Sequence, residues 1–341
     1  MPAVPDPKDH RAADPLRQRI WDNVVRAPLG NLWDFQGVHP LAVAKRTFHS
    51  INEDNLVSRA AELGYYFLFA LFPTLLSASA IFGLIVRRED LYLKLLNYLA
   101  LIVPRDAFQI VLDTFNQTAT HASGGKLVFG LAFALWSASV GFTSIQDGLN
   151  IVYKVRETRP YWKVKGAAML LTILLSILMV AALGFQLLGT FFSHRLRRSI
   201  ANPHLGLGLG ITTHMIFDLL TGAILMLIFA VIYYFAPDIP KKCWRWLTPG
   251  SAIGILGWFL ASVGLRVYLH YFNNFSVTYG SLGAVIILLI WFYVTGLMLL
   301  IGAEINSEIE AAAAECRLKS AGTIPPTATT DPLTPIIPTP A

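Results

Sequence analysis

The chain has 341 residues, of which 55% are hydrophobic and only 14% charged, with a mean hydropathy of +0.54 and a formal net charge of +6. Soluble domains carry about 25% charged residues, so this composition excludes an ordinary water-soluble globule and implies that much of the surface faces lipid. The basic residues are scattered among apolar segments, which points to membrane topology and away from a nucleic-acid partner.

Residues 1–61 are mixed and polar, with amphipathic stretches around Trp21 and over 41–48. The chain begins with polar, proline-containing sequence and no early apolar core, so no cleavable signal peptide is expected. Six long apolar segments follow, at about 62–86, 127–145, 166–192, 211–235, 247–268 and 281–303. Each has about the twenty residues needed to cross a ~30 Å hydrocarbon core as a helix. A lone strand there would leave its backbone polar groups unpaired in lipid. The expected fold is an all-α integral membrane protein with six transmembrane helices. A cytoplasmic amphipathic region (1–61) precedes the membrane domain (62–306), and a cytoplasmic tail (307–341) follows it.

Two stretches depart from plain spans. Residues 91–118, between the first and second segments, read as a pair of amphipathic helices broken at Pro104. Leu91, Leu95, Leu96, Leu99 and Ile102 line one side of the first, and Phe108, Val111, Leu112 and Phe115 repeat at helical spacing in the second. Beyond about residue 321 the chain is rich in Pro and Thr, and disorder is expected.

Orientation follows from the 27 lysines and arginines, of which eighteen flank one side of the six segments and nine the other. The excess places both termini in the cytoplasm. The cluster Lys154, Arg156, Arg159, Lys163 and Lys165 is its firmest marker.

Polar groups inside apolar segments are the candidate functional residues, since a charge at a helix centre costs about 2.5–3.5 kcal/mol on insertion scales. Asp218 lies about two turns into the fourth segment, with His214 four residues earlier, and Arg266 lies near the outer end of the fifth. Both approach the same leaflet, so an Asp218–Arg266 pair is geometrically open, as a structural ion pair or as a substrate site. Glu62 and Glu304 mark the inner ends of the first and last segments. They read either as interfacial carboxylates facing headgroups and water, which we favour, or as an acidic pair at an inner vestibule. Asn150 completes the set of candidate substrate-binding residues, Asp218, Arg266, Glu304 and Asn150, as a polar group that a cavity would expose.

Small residues give the clearest packing signal. Gly250, Gly254, Gly257, Ala261 and Gly264 leave one side of the fifth segment nearly bare, as a close helix–helix seam or an oligomer face requires. Thr248, Pro249 and Gly250 read as a helix cap and first turn. Pro73 predicts a kink in the first segment. Tyr65, Tyr66, Trp162, Trp244, Trp246 and Tyr279 fall near segment ends, where an aromatic belt is expected.

Catalytic signals are weak. The eight histidines are dispersed without zinc-motif spacing, and Cys243 and Cys316 are neither adjacent nor clustered. Gly206, Gly208 and Gly210 lack the strand–turn–helix setting of a phosphate loop, and no Gly-x-Ser-x-Gly elbow is present. No enzyme, metal or cofactor is expected. The expected partners are membrane lipids, with a second copy of the chain or an envelope protein as further candidates.

Four stretches together resemble the YihY/BrkB family of bacterial inner-membrane proteins, an UPF0761-type family once labelled ribonuclease BN-like. They are Ala60-Ala-Glu-Leu-Gly-Tyr65 running on to Pro73; Trp136-Ser-Ala-Ser139 with Gln146-Asp-Gly-Leu-Asn150, Tyr153 and Arg156-Glu157; Ala236-Pro-Asp238 with Trp244, Trp246 and Pro249-Gly250; and Tyr279-Gly-Ser-Leu-Gly283 with Trp291 and Gly302-Ala-Glu-Ile-Asn306. The resemblance implies the same six-span fold, placed in the bacterial cytoplasmic membrane, and leaves the chemistry open. Transport of lipids or ions is the expectation it carries. A membrane scaffold recruiting partners through the basic N-terminal region is the alternative. Glu62 stands where that pattern has a small residue, so no family-wide role attaches to it.

Overall fold

The computed structural model describes residues 15–26, 32–33, 40–85, 124–199, 203–241, 243–271 and 281–324. Eight helices form among them and no strand. They are α1 (Pro15–Arg26), α2 (Pro40–Glu53), α3 (Leu56–Ile85), α4 (Gly124–Val152), α5 (Tyr161–Ser199), α6 (Pro203–Phe235), α7 (Pro249–Tyr271) and α8 (Ser281–Ser320). The predicted amphipathic pair at 91–118 and the Pro/Thr-rich tail beyond 324 lie outside the described residues.

Four of these helices are long and apolar enough to cross a membrane, over Tyr161–Arg198, Leu205–Phe235, Pro249–Leu269 and Val285–Ser320. Their apolar side chains face outward. In the most apolar stretch of α7 only 6% of residues are buried inside the protein, and Leu170, Val180, Leu219 and Leu260 are all well exposed. A surface of this kind is stable only against lipid. α3 and α4, with 30 and 29 residues, coincide with the first two predicted spans and pack against each other.

Glycines set how closely the helices approach. A Cβ on Gly64 of α3 would lie 3.1 Å from the backbone nitrogen of Tyr293 on α8, and one on Gly296 of α8 would lie 3.0 Å from the Leu63 side chain. On α5, Gly189 leaves room for Phe217 of α6, whose ring stacks on Phe192 at 6.1 Å. The predicted stripe on α7 is a seam against α8. Gly254 and Gly257 back onto Met298, and Trp258 Nε1 donates to Thr295 Oγ1 at 3.0 Å. Gly264, at the far end of the stripe, has nothing within 4 Å.

α8 is the hub. It touches α1, α2, α3, α4 and α7. It contains no proline, and at about 1.5 Å per residue its 40 residues span about 60 Å. It therefore runs on well past the predicted end of the sixth span at 303. The tail predicted from 307 is helical to Ser320, and the sequence boundary at 306 cuts a continuous helix. Ala311, Ala312, Ala313 and Ala314 are buried on every side, because α1 packs on one face of this extension through Ile20, Trp21 and Val24, and Val43 of α2 with Leu32 on another. A glycine-ended cap closes it. Gly322 takes φ +65°, Gly322 N–H donates to Lys319 O and Thr323 N–H to Leu318 O, each at 3.0 Å.

Candidate functional site

The carboxylates of the α8 extension define one side of a polar seam. Glu304, Glu308 and Glu315, spaced four and seven apart, lie along one face of the helix. α2 presents Arg46 and Ser50, and Asp54 follows immediately after its end, each one turn from the last, in antiparallel register. Arg46 Nη1 pairs with Glu315 Oε2 at 3.1 Å, and Ser50 Oγ donates to Glu308 Oε1 at 2.7 Å. At the inner end of the seam Asp54 is 2% exposed and Glu304 is fully buried.

A third element supplies the cation. α4 ends in a cap where Lys154 N–H donates to Ile151 O at 3.0 Å and Val155 N–H to Asn150 O at 2.9 Å. Lys154 occupies the left-handed position, φ +54°, where glycine is usual. This strained backbone starts the side chain toward the seam, where Nζ binds Asp54 Oδ2 and lies 5.9 Å from the Trp21 ring. Strain of about 1 kcal/mol or more at a non-glycine residue persists only where the surroundings enforce it.

Glu304 stands apart in this company. Neither of its carboxyl oxygens has a hydrogen-bond partner. The charges that reach it are Lys154, Asp54, Glu308 and Glu53. Tyr153, fully buried beside it, is held as the neutral phenol, because burial pushes its pKa well above the usual range.

Two further polar clusters fasten the same end of the bundle. Asn150, 4% exposed, donates from Nδ2 to Glu157 Oε2 at 2.9 Å and accepts the Asp238 backbone N–H on Oδ1 at 2.8 Å. Arg159 grips Glu157 through Nε and Nη2 at 2.7 and 2.6 Å, and Thr158 donates to Asp238 through its N–H and hydroxyl. The bond from Arg159 holds the Glu157 carboxyl below its ordinary pKa. Asn306 of α8 caps α7. It accepts from Gly250 N–H and donates to Thr248 Oγ1, both at 2.9 Å, while Thr248 Oγ1 takes the Ser251 N–H at 3.0 Å. The helix start predicted at Thr248 is therefore a true N-cap.

The predicted site residues separate into a buried pair and an exposed pair. Asn150 and Glu304 are buried. Glu304 does not face headgroups as an interfacial carboxylate, because α2 and the end of α4 cover it. Nor does it pair with Glu62, which is half-exposed and lies 3.6 Å from Arg59. Asp218 is exposed on α6 and lies 3.6 Å from His214, one turn earlier, and no ion pair joins it to Arg266. Arg266 is exposed on α7. Asp54 and Lys154 were missed, one reading as part of a polar N-terminal region and the other as a topology marker. The matched four-residue spacings of Arg46, Ser50 and Asp54 and of Glu304 and Glu308 were the available signal.

Long helices whose apolar side chains face outward define a multi-pass helical membrane protein. The chain belongs to the virulence factor BrkB family, which matches residues 47–322. Among its relatives, the ribonuclease-like protein YfkH of Bacillus subtilis is 34% identical over 73% of this chain and 88% of its own length. The UPF0761 membrane protein RSc1559 of Ralstonia nicotianae is 24% identical over 79% of this chain and 58% of its own length. A UPF0761 membrane protein of Albidiferax ferrireducens is 28% identical over 84% of this chain and 65% of its own. The chain thus spans only about three-fifths of these longer UPF0761 relatives. No solved structure matches it.

Proposed function

We propose that the chain is a transporter of the bacterial cytoplasmic membrane, crossing it six times with both termini inside and moving a lipid or an ion. Six spans are supported by the joining of α3 and α4 to the four apolar helices in one bundle. Cytoplasmic termini are supported by the eighteen-to-nine split of basic residues. The observation that carries transport is the Glu304 carboxyl, fully buried on the central helix with no hydrogen-bond partner on either oxygen. A helix serving only as a strut is more stable with an apolar residue there. Ionisable groups retained in such places are typical of ion and proton pathways.

The test is reconstitution. Wild-type and Glu304→Gln proteins in liposomes are assayed for exchange of fluorescent phospholipids between leaflets and for ion flux under an imposed proton gradient. Movement above protein-free vesicles that is lost in Glu304→Gln, at an unchanged thermal midpoint, is the expected result. Vesicles that stay tight with wild-type protein would remove transport and leave the scaffold reading, for which the exposed Leu41 and Phe48 of α2 are the natural contact. We propose no catalytic role. The name of YfkH makes RNA cleavage by the purified chain the direct check, and activity lost on chelating metal would reverse that proposal.

A further inference from the structure

We infer that Glu304, Asp54 and Lys154 form a proton-binding site in which one ammonium has two alternative carboxylate partners. The inference deepens the transport reading and rests on it for its use, though not for its chemistry.

The groups facing Glu304 are Glu53 and Asp54 from α2, Tyr153 and Lys154 from the end of α4, and Glu308 on α8. Lys154 is the cation among them. In this structure its ammonium is bound to Asp54. Glu308 accepts the Ser50 hydroxyl. Glu304 alone of the seam carboxylates has neither oxygen hydrogen-bonded and no exposure to water. A bare carboxylate in that position is strongly disfavoured. A proton satisfies the need for positive charge and requires no cavity of its own.

The lysine makes the site exchangeable. Lys154 takes φ +54° at the helix cap and its charge acts on Glu304 as well as on Asp54, so the flexible four-carbon stem is what would carry the ammonium from one acid to the other. With Glu304 protonated, Lys154 rests on Asp54, as observed. When the Glu304 O–H bond breaks, the proton goes to water and the carboxylate draws the ammonium away from Asp54. The net charge of the site falls by one, and it is restored when a proton returns.

The proton is read directly by infrared titration of the whole protein in lipid. Wild type is expected to show a protonated-carboxyl stretch near neutral pH that shifts in D2O and is absent in Glu304→Gln. Lys154→Gln removes the competing cation, so the band should persist to higher pH by about one unit, a tenfold change in proton affinity. Asp54→Asn leaves Lys154 to Glu304, so the band should disappear at lower pH by a similar amount. Thermal midpoints establish folding, and if Asp54→Asn does not fold, Lys154→Gln decides alone. A spectrum unchanged by Glu304→Gln, or a band that Lys154→Gln does not move upward, overturns the inference. Band shifts as expected without vesicle flux would keep the proton site and remove transport. Flux without them would do the reverse.

Discussion

Gly250 and Gly302 meet backbone to backbone, so that a Cβ on either would overlap the carbonyl of the other. The contact fastens α7 to α8 beside the Asn306 cap. The start of α7 depends on it, because any side chain at 250 would also displace Asn306, whose Oδ1 lies 2.6 Å from the Cβ position.

Gly250→Ala should therefore lower folded yield sharply, with a loss above the roughly 1–3 kcal/mol typical of overpacking. Gly264→Ala, where the space is open, should be neutral or slightly stabilising. Detergent melting curves of the two variants check this, and equal midpoints would mean that the seam relaxes.

Asn150 ties the loop after α4 to the loop after α6. Asn150→Ala leaves the Asp238 N–H without its acceptor, while Glu157 Oε2 keeps Arg159 Nη2, and about 1–3 kcal/mol of stability should be lost for the one group left unsatisfied. Asn150→Asp keeps the acceptor for Asp238 but sets a second carboxylate against Glu157, so it should be no better than Ala. Unfolding midpoints that rank Asp near wild type would show that only the Asp238 contact matters.

Glu157 gives a pH dependence of fixed sign. Its pKa is lower in the folded chain than in the unfolded one because Arg159 binds the carboxylate. The stabilisation is present above the unfolded value and is lost as pH falls through the folded one. Wild type and Glu157→Gln should therefore differ in thermal midpoint at pH 7 and converge only as pH falls below the ordinary glutamate range. A difference that holds constant across that range would rule out the carboxylate as its source.

Asp218 and Arg266 have no shared contact, so a double-mutant cycle between Asp218→Asn and Arg266→Gln should give a coupling within about 0.5 kcal/mol of zero. Each exposed charge should also be worth little singly, about 1 kcal/mol at most. Coupling well above that value would mean that the two helices bring the charges together during function.

Topology is open to reporter fusions. Those after Arg156, Lys242 and Leu318 should behave as cytoplasmic, and those after Gln117 and Ser199 as external. An external signal after Arg156 would contradict the best-supported loop.

Hydropathy made the membrane-helix class legible because lipid imposes a length and a composition that few other environments tolerate. The α7 stripe was legible because close backbone approach needs small residues at helical spacing. The seam was hidden for a different reason. Its members come from three segments far apart in the chain, and each has an ordinary local explanation. Lys154 reads as a topology charge, Asp54 as a polar linker residue, and Glu304 as an interfacial acid. Burial is what changes their meaning, and burial here is created by α1 and α2 folding back over the end of α8. The run Ala311 to Ala314 was a further local hint, since four alanines flanked by glutamates suit a helix covered on all sides better than a solvated tail.

The central position of α8 bears on how the molecule is born. A ribosome adds about 5–20 residues per second, and α8 is the last of the eight helices to emerge. Until it arrives, α2, α3 and α7 have been made without the surface they close upon. Asp54 and Lys154 can meet during that interval, but Glu304 enters only afterwards and is enclosed between α2 and the end of α4. Closure of the seam is thus a late event of assembly, timed by the order in which the helices leave the ribosome.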